Sequence, residues 1–135
     1  MSEQKMWVAI RPMFVGLDAV RVENPAHPGT PDVNYVGGWV ELKHVAAWPV
    51  YDDAELKIRH FTPEQKVWLT RRWLAGGAAH LLLQVRNDWL LFTAPKACEF
   101  VGCSTKYSLI CNAKQHWTGK PTLLGEFQRW LKRKQ

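Results

Sequence analysis

Three residues in one short stretch of the chain have side chains that could catalyse a reaction together: Asp32, Glu41 and Lys43. Two nearby carboxylates repel each other unless a cation or a proton lies between them. Such a pair suits Mg²⁺, which prefers oxygen ligands and binds through one or two carboxylates plus substrate phosphates. A lysine beside the metal can orient the attacking water or stabilise charge on a phosphoryl group. These are the groups that metal-assisted phosphodiester hydrolysis needs.

The residues around this set predict a β-hairpin. Residues 33–36 and 39–45 are rich in strand-forming types, and Gly37-Gly38 between them is typical of a two-residue turn. Because side chains two apart share a face of a strand, four polar residues then lie together, with Asp32 and Glu41 as diagonal neighbours. The predicted cross-strand pairs are Asp32 with Lys43, Asn34 with Glu41, and, on the opposite face, Val33 with Leu42. The alternative is an exposed Asp32–Lys43 ion pair worth under about 1 kcal/mol.

Pro31-Asp32 followed by Glu41-Leu42-Lys43 resembles the signature of the PD-(D/E)XK nuclease superfamily. That superfamily includes type II restriction enzymes, phage and archaeal Holliday-junction resolvases and VRR-type nucleases. The resemblance covers about residues 4–93. Four stretches look like the small phage-type members, namely residues 21–24, 29–32, 39–43 and 62–65.

The resemblance implies a role for each matching residue. Asp32 and Glu41 would ligate the metal together with the backbone carbonyl of Leu42, and Lys43 would be the catalytic lysine. Gln65 would contact metal-bound water or a DNA phosphate, although a role purely in capping a helix explains it equally well. The expected cofactor is Mg²⁺, with Mn²⁺ able to substitute.

A further acid is commonly supplied in this superfamily by the first helix. The chain offers only Glu3 at the start of that predicted helix and Asp18 just beyond its end. Glu23, at the end of the predicted first strand, is therefore the expected additional catalytic and metal-binding acid, and an ordinary strand-end carboxylate is the alternative.

The elements that must position these residues follow from hydrophobic periodicity and from turn residues. Thr62-Pro63 with Gln65 predicts a capped helix start, and Gly76-Gly77 can end that helix. The fold class predicted is α/β, a restriction-endonuclease-like αβββαβ core with a mixed central sheet flanked by helices and with C-terminal helices. We expect a single domain over residues 1–135, with a core of about 4–93 and a basic helical extension of about 94–135. The predicted elements are helices at 4–17, 62–77 and 121–134, and strands at 19–23, 33–36, 39–45, 80–85 and 89–93.

Composition limits where such a protein works. The chain has 135 residues, 47% of them hydrophobic, and no apolar run reaches the roughly 18 residues of a membrane span. Its start is polar without a signal peptide, and its three cysteines are an odd number, so we expect a cytoplasmic protein, in the host cytoplasm if it is phage-encoded.

The positive charge is concentrated at one end. The chain carries a formal net charge of +6, and residues 106–135 contain seven basic residues against one acid. A polyanionic partner such as DNA and a merely solvated terminal helix both explain this pattern. The candidate DNA-binding residues are Arg71, Arg72, Lys106, Lys114, Lys120, Arg129, Lys132, Arg133 and Lys134.

Together these observations predict a Mg²⁺-dependent, structure-specific DNA endonuclease. The resemblance implies that it leaves a 5′-phosphate and that it is most simply a phage Holliday-junction resolvase. Because symmetric resolution of a four-way junction needs two active sites, we expect a homodimer. One alternative is a VRR-like or other branched-DNA nuclease. A second alternative is a non-catalytic DNA-binding protein with a nuclease-like fold.

Overall fold

The computed structural model describes residues 2–24, 26 and 28–119. The predicted helix at 121–134 and the candidate DNA-binding residues Lys120, Arg129, Lys132, Arg133 and Lys134 lie outside the described residues. The helices are α1 (Ser2–Ile10), α2 (Pro63–Leu74), α3 (Ala94–Phe100) and α4 (Lys106–Asn112), with a 3-10 turn at Arg11–Phe14. The strands are β1 (Val20–Arg21), β2 (Val33–Tyr35), β3 (Gly38–Val45), β4 (Glu55–Leu56), β5 (Ala78–Val85), β6 (Asp88–Thr93), β7 (Ser104–Thr105) and β8 (Gln115–Thr118).

Six strands form one mixed sheet in the order β1-β2-β3-β5-β6-β8. The pair β3–β5 is parallel and is connected through α2, whereas the other neighbours are antiparallel. Strands β4 and β7 form a separate two-stranded sheet. The predicted fold class, an α/β domain with a mixed central sheet flanked by helices, is confirmed.

Apolar side chains cover both faces of the central sheet. The almost continuous run of buried residues in β5 shows this, because successive side chains of a strand point to opposite faces. On one face, Met6 and Ile10 of α1 pack with Leu42 and Leu82. On the other face, Leu69 of α2 packs in a cluster with residues of β5, β6, α3 and α4. No helix in the described ranges is both long enough and apolar enough to cross a membrane.

The first helix is shorter than predicted, since the α-helix ends at Ile10 and continues as the 3-10 turn around Pro12. Proline has no amide hydrogen and its ring clashes with the preceding turn, so a regular α-helix does not run through it. The predicted strand at 19–23 is likewise reduced to the two residues of β1.

The segment after Thr93 differs from the expected all-helical extension. It forms α3 and α4, but also β7 and β8, and β8 pairs with β6 so that Trp117 lies opposite Trp89. Both indoles are buried, at 7% and 1% exposure, so the central sheet continues beyond residue 93. Residues 94–119 are therefore packed against the core as one unit with it.

The hairpin between β2 and β3 forms, but its predicted register is wrong. The observed pairs are Val33 with Val40, Asn34 with Trp39, and Tyr35 with Gly38, so that Val36-Gly37 is the turn. Gly38 lies in β3, beside Ala78 of β5. A Cβ atom at position 38 would lie 2.3 Å from the carbonyl oxygen of Ala78, so only glycine fits there. The shift is two residues in the sum of paired positions, so each side chain keeps its predicted face.

Candidate active site

Lys43 and Glu41 form a buried ion pair on the face of β3 that α2 covers. The ammonium nitrogen of Lys43 lies 3.1 Å from Oε2 of Glu41, and both side chains are only 2% exposed. The same nitrogen donates a hydrogen bond of 2.7 Å to the backbone carbonyl of His60. Removal of two charges from water is costly, so such a pair is retained in a fold mainly where its charges are used.

Asp32 joins this pair at the edge of the hairpin. Its Oδ2 accepts a hydrogen bond of 2.8 Å from the backbone N–H of Leu42, and its Oδ1 lies 3.1 Å from Nη1 of Arg21. In the observed register Asp32 is directly across from Glu41 rather than diagonal to it, and the predicted pairs of Asp32 with Lys43 and of Asn34 with Glu41 do not form. The two carboxylates interact closely enough for Asp32 to raise the pKa of Glu41.

Gln65 contacts the site and caps α2 at the same time. Its side-chain carbonyl accepts a hydrogen bond of 3.0 Å from the N–H of Thr62, and its backbone N–H donates to the Thr62 hydroxyl, which completes a capping box. Its side-chain amide nitrogen donates a 3.2 Å hydrogen bond to Oε2 of Glu41. One end of the Gln65 amide therefore caps α2 and the other end contacts Glu41, while contact of Gln65 with metal-bound water or a DNA phosphate stays a prediction.

The other carboxylate oxygen of Glu41, Oε1, indicates what this site can bind. Oε1 is buried and has no hydrogen-bond partner among the described residues. Burial raises the pKa of Glu41 well above its ordinary value of 4.5, the Asp32 carboxylate raises it further, and Lys43 lowers it only in part. A buried acceptor without a partner is costly, so this oxygen is suited to hold a proton or a cation.

The donor set fits an oxygen-seeking cation that retains water. Within the described residues, no group of three or more His, Cys, Asp or Glu side chains is arranged to hold a metal ion by itself. Two carboxylates plus backbone and substrate oxygens are nevertheless the usual ligands of Mg²⁺. The Leu42 N–H points to the edge of β3 where Asp32 lies, and the carbonyl of a residue points to the same edge as its N–H. That carbonyl is therefore on the same edge as Asp32.

An acid from the first helix also faces this region. Glu3, in the first turn of α1, lines a cavity together with Lys43 and His60. Burial raises the pKa of Glu3, while the charge of Lys43 lowers it and that of Asp32 raises it. Glu23 is exposed beyond the end of β1 and forms no hydrogen bond or ion pair with any residue that the structure describes. The position of Glu3 at the start of the predicted first helix, from which the superfamily commonly supplies an acid, was the sequence signal that pointed to it.

The described candidate DNA-binding residues do not form one patch. The guanidinium of Arg72 lies over the indole of Trp68 at 4.6 Å and near that of Trp39 at 5.7 Å. Because Trp39 precedes Glu41 by two residues on β3, Arg72 extends the same face of the sheet. Arg71 is exposed beside it, at a groove that Trp68 also lines.

Lys106 and Lys114 lie in the C-terminal segment. The ammonium of Lys106, at the start of α4, is 5.2 Å from the indole centre of Trp48, and Lys114 is exposed before β8. No contact of either lysine with Asp32, Glu41 or Lys43 is present among the described residues. Their role in DNA binding stays a prediction.

We expect Mg²⁺ binding at this site to weaken as the pH falls through the raised pKa of Glu41, because metal ligands must be deprotonated. Burial raises the pKa of Glu41 well above its ordinary value, so a proton competes with the metal for this carboxylate, and Mg²⁺ binding should release protons. Calorimetric titration in two buffers of different ionisation enthalpy measures that release. Glu41→Gln should abolish it, and an affinity that does not change with pH would contradict this assignment.

Comparison with known proteins finds similarity among solved structures. No family model matches the chain, and no curated protein matches it. Among solved structures, that of Hjc, a Holliday junction resolvase from the archaeal hyperthermophile Archaeoglobus fulgidus, is similar. The sequence identity is 23%, the match covers 70% of this chain and 77% of that chain, and the TM-score is 0.43.

Proposed function

We propose that the protein is a metal-dependent, structure-specific DNA endonuclease that cuts four-way junctions. The observation that carries this proposal is the buried Oε1 of Glu41, which has no hydrogen-bond partner among the described residues and belongs to a carboxylate that interacts with both Asp32 and Lys43. Two neighbouring carboxylates that can hold a cation, together with the lysine held beside them, supply the groups that phosphodiester hydrolysis needs. A role in stability alone would not require two acids to share this position.

Each residue has a distinct task in the proposed mechanism. Asp32, Glu41 and the Leu42 carbonyl would hold Mg²⁺, with Mn²⁺ as a substitute. The bound ion would supply Lewis-acid stabilisation and a lowered pKa for water. In the cleavage we propose, water attacks the phosphorus in line and loses a proton, the P–O3′ bond breaks, and the departing 3′-oxygen takes up a proton, which leaves a 5′-phosphate and a 3′-hydroxyl.

The Lys43 ammonium has three donors. Two of them are used by Glu41 and the His60 carbonyl, which leaves one for a phosphate oxygen or the attacking water. Because these two hydrogen bonds hold the Lys43 ammonium in place, it does not need to move as negative charge develops on the phosphoryl group. The Gln65 amide keeps Oε2 of Glu41 in place while Oε1 stays available.

We propose a junction as the substrate and a homodimer as the active form. Symmetric resolution requires two nicks on opposed strands, which two active sites related by a two-fold axis deliver. The phage-type resolvases are the members of the superfamily that the sequence resembles, so a phage enzyme is the specific form of the proposal. VRR-like nucleases and non-catalytic DNA-binding proteins are the competing classes.

The test is incubation with labelled four-way junction, Y-fork and linear duplex DNA, with Mg²⁺, with Mn²⁺ and with EDTA. Paired symmetric nicks in the junction select a resolvase, whereas cutting confined to forks selects another branched-DNA nuclease. Junction binding without cutting selects the non-catalytic alternative. The absence of metal-dependent cutting on every substrate would refute the endonuclease proposal.

We also propose that Glu3, rather than Glu23, is the additional acid. Glu3→Gln should lower the single-turnover cutting rate by about 10- to 100-fold and raise the Mg²⁺ concentration needed for half-maximal rate, as expected for a residue that supports a metal site. Glu23→Gln is the matched control and should stay within about twofold of the wild type, since exposed substitutions away from a site have little effect. The reverse pattern would assign the role to Glu23.

A further inference from the structure

A small cleft opens beside Lys43, on the edge of β3 that β2 leaves uncovered. Strand β2 pairs only with Gly38, Trp39 and Val40, so β3 extends past it. The cleft has a volume of about 270 Å³. Its lining residues come from α1, from the end of β3 and from residues 57–60, and they include Glu3, Lys43, Lys57, Arg59 and His60.

The segment at 57–60 is held firmly at both ends. Leu56 before it and Phe61 after it are buried, at 2% and 8% exposure. At the last residue of the segment, the His60 carbonyl accepts the 2.7 Å hydrogen bond from Lys43, so the segment is bonded directly to the proposed catalytic lysine. Lys57, Arg59 and His60 are exposed on this fixed backbone. Side chains on a rigid support present their charges to a ligand without a large ordering cost.

The charges that line the cleft are not equivalent. Lys43 is paired with Glu41, and Lys57 is paired with Glu55 at 2.8 Å. Arg59 forms no ion pair or hydrogen bond with any residue in the described ranges. Its guanidinium is a planar fork that can bind two oxygens of a phosphate at once.

From this arrangement we infer that residues 57–60 form a binding site for a backbone phosphate of DNA, with Arg59 as its main contact. The inference rests on the proposed function, because it places this phosphate next to the one that is cut. The cleft adjoins Lys43 directly, so a strand whose scissile phosphate meets Lys43 would place a neighbouring phosphate against Arg59. The contact sets position along the strand and carries no base preference.

The experiment measures junction binding in EDTA, where no cutting occurs, over a range of salt concentrations. Arg59→Gln should weaken binding by roughly 5- to 10-fold and reduce the slope of log affinity against log salt by about one, as expected for the loss of one phosphate contact. Arg59→Glu should weaken binding further, and Arg59→Lys should restore most of the slope. Because Arg59 is exposed, these variants should fold normally, which circular dichroism can verify.

Arg11→Gln is the matched control. Arg11 is also exposed, but it follows the end of α1 opposite to Glu3, about 12 Å further along the helix axis. The Arg11→Gln variant should bind the junction with the same slope of log affinity against log salt as the wild type. If Arg59→Gln and Arg11→Gln give the same slope while the wild-type protein cuts junctions, the phosphate site is wrong and the proposed function stands. If the wild type cuts nothing, the proposed function fails, and a reduced slope for Arg59→Gln would still support the phosphate site.

Discussion

Replacement of Lys43 by methionine should lower the rate of junction cutting by about 10³-fold, because a fixed charge beside the reacting phosphate is lost. Methionine is close to lysine in length and is apolar, so it can fill the buried position. Glu41 would lose the partner that lowers its pKa and would take up a proton more readily, which spares the fold a buried unpaired charge. Single-turnover cutting with saturating Mg²⁺ measures the rate, and junction binding in EDTA should stay within a few-fold of the wild type.

Lys66→Met is the matched control for this change. Lys66 lies in α2, and its ammonium is 5.3 Å from the ring centre of Phe61, while that of Lys43 is 5.9 Å from the same ring. Both substitutions therefore remove a cation from one phenyl ring, but only Lys43 contacts Glu41. Cutting by Lys43→Met within about 10-fold of the wild-type rate would remove Lys43 from the mechanism.

Asp32→Asn should reduce cutting by at least about 10³-fold and raise the Mg²⁺ concentration for half-maximal rate by about 10- to 100-fold. Asparagine has the same shape, and its carbonyl oxygen can still accept the hydrogen bond from the Leu42 N–H. The negative charge is lost, however, and with it both the proposed metal ligand and the ion pair with Arg21. A Mg²⁺ titration under single-turnover conditions separates the change in rate from the change in metal affinity.

Asp18→Asn makes the same carboxylate-to-amide change at an exposed position. Asp18 has a φ of 52°, a left-handed conformation that asparagine also adopts readily, so the control adds no strain. The cutting rate of the Asp18→Asn variant and its dependence on Mg²⁺ concentration should match those of the wild type. If Asp32→Asn behaves in the same way, the carboxylate of Asp32 is not needed for the reaction.

The sequence predicted which face of the hairpin carries the polar residues but not which of them are opposite one another. The difference traces to Gly37 and Gly38, which look alike as turn residues. Only Gly38 is required in a strand, by its close approach to Ala78. That contact joins strands 40 residues apart in sequence, so no local pattern reports it. The prediction of which side chains share a face was nevertheless correct, because a side chain changes face only when the register shifts by an odd number of residues.

The proposed role of Glu3 depends on packing of the same long-range kind. Glu23 is close to Asp32 along the chain, whereas Glu3 lines the cavity beside Lys43 because α1 packs across β3 through Met6 and Ile10. Nearness along the chain favours Glu23, and packing favours Glu3, so the Glu3→Gln and Glu23→Gln variants decide between them. By contrast, the start of α2 was predictable, since the capping box of Thr62 and Gln65 is a local interaction over three residues.

The amide of Gln65 makes the start of α2 and the arrangement of Glu41 parts of one cooperative unit. If the first turn of the helix frays, the Thr62 N–H and Oε2 of Glu41 lose their partner together. Transient local unfolding of that turn and disorganisation of the candidate site are then a single opening event with a single free energy. The fraction of molecules in which the candidate site is ordered is therefore governed by the stability of this helix cap.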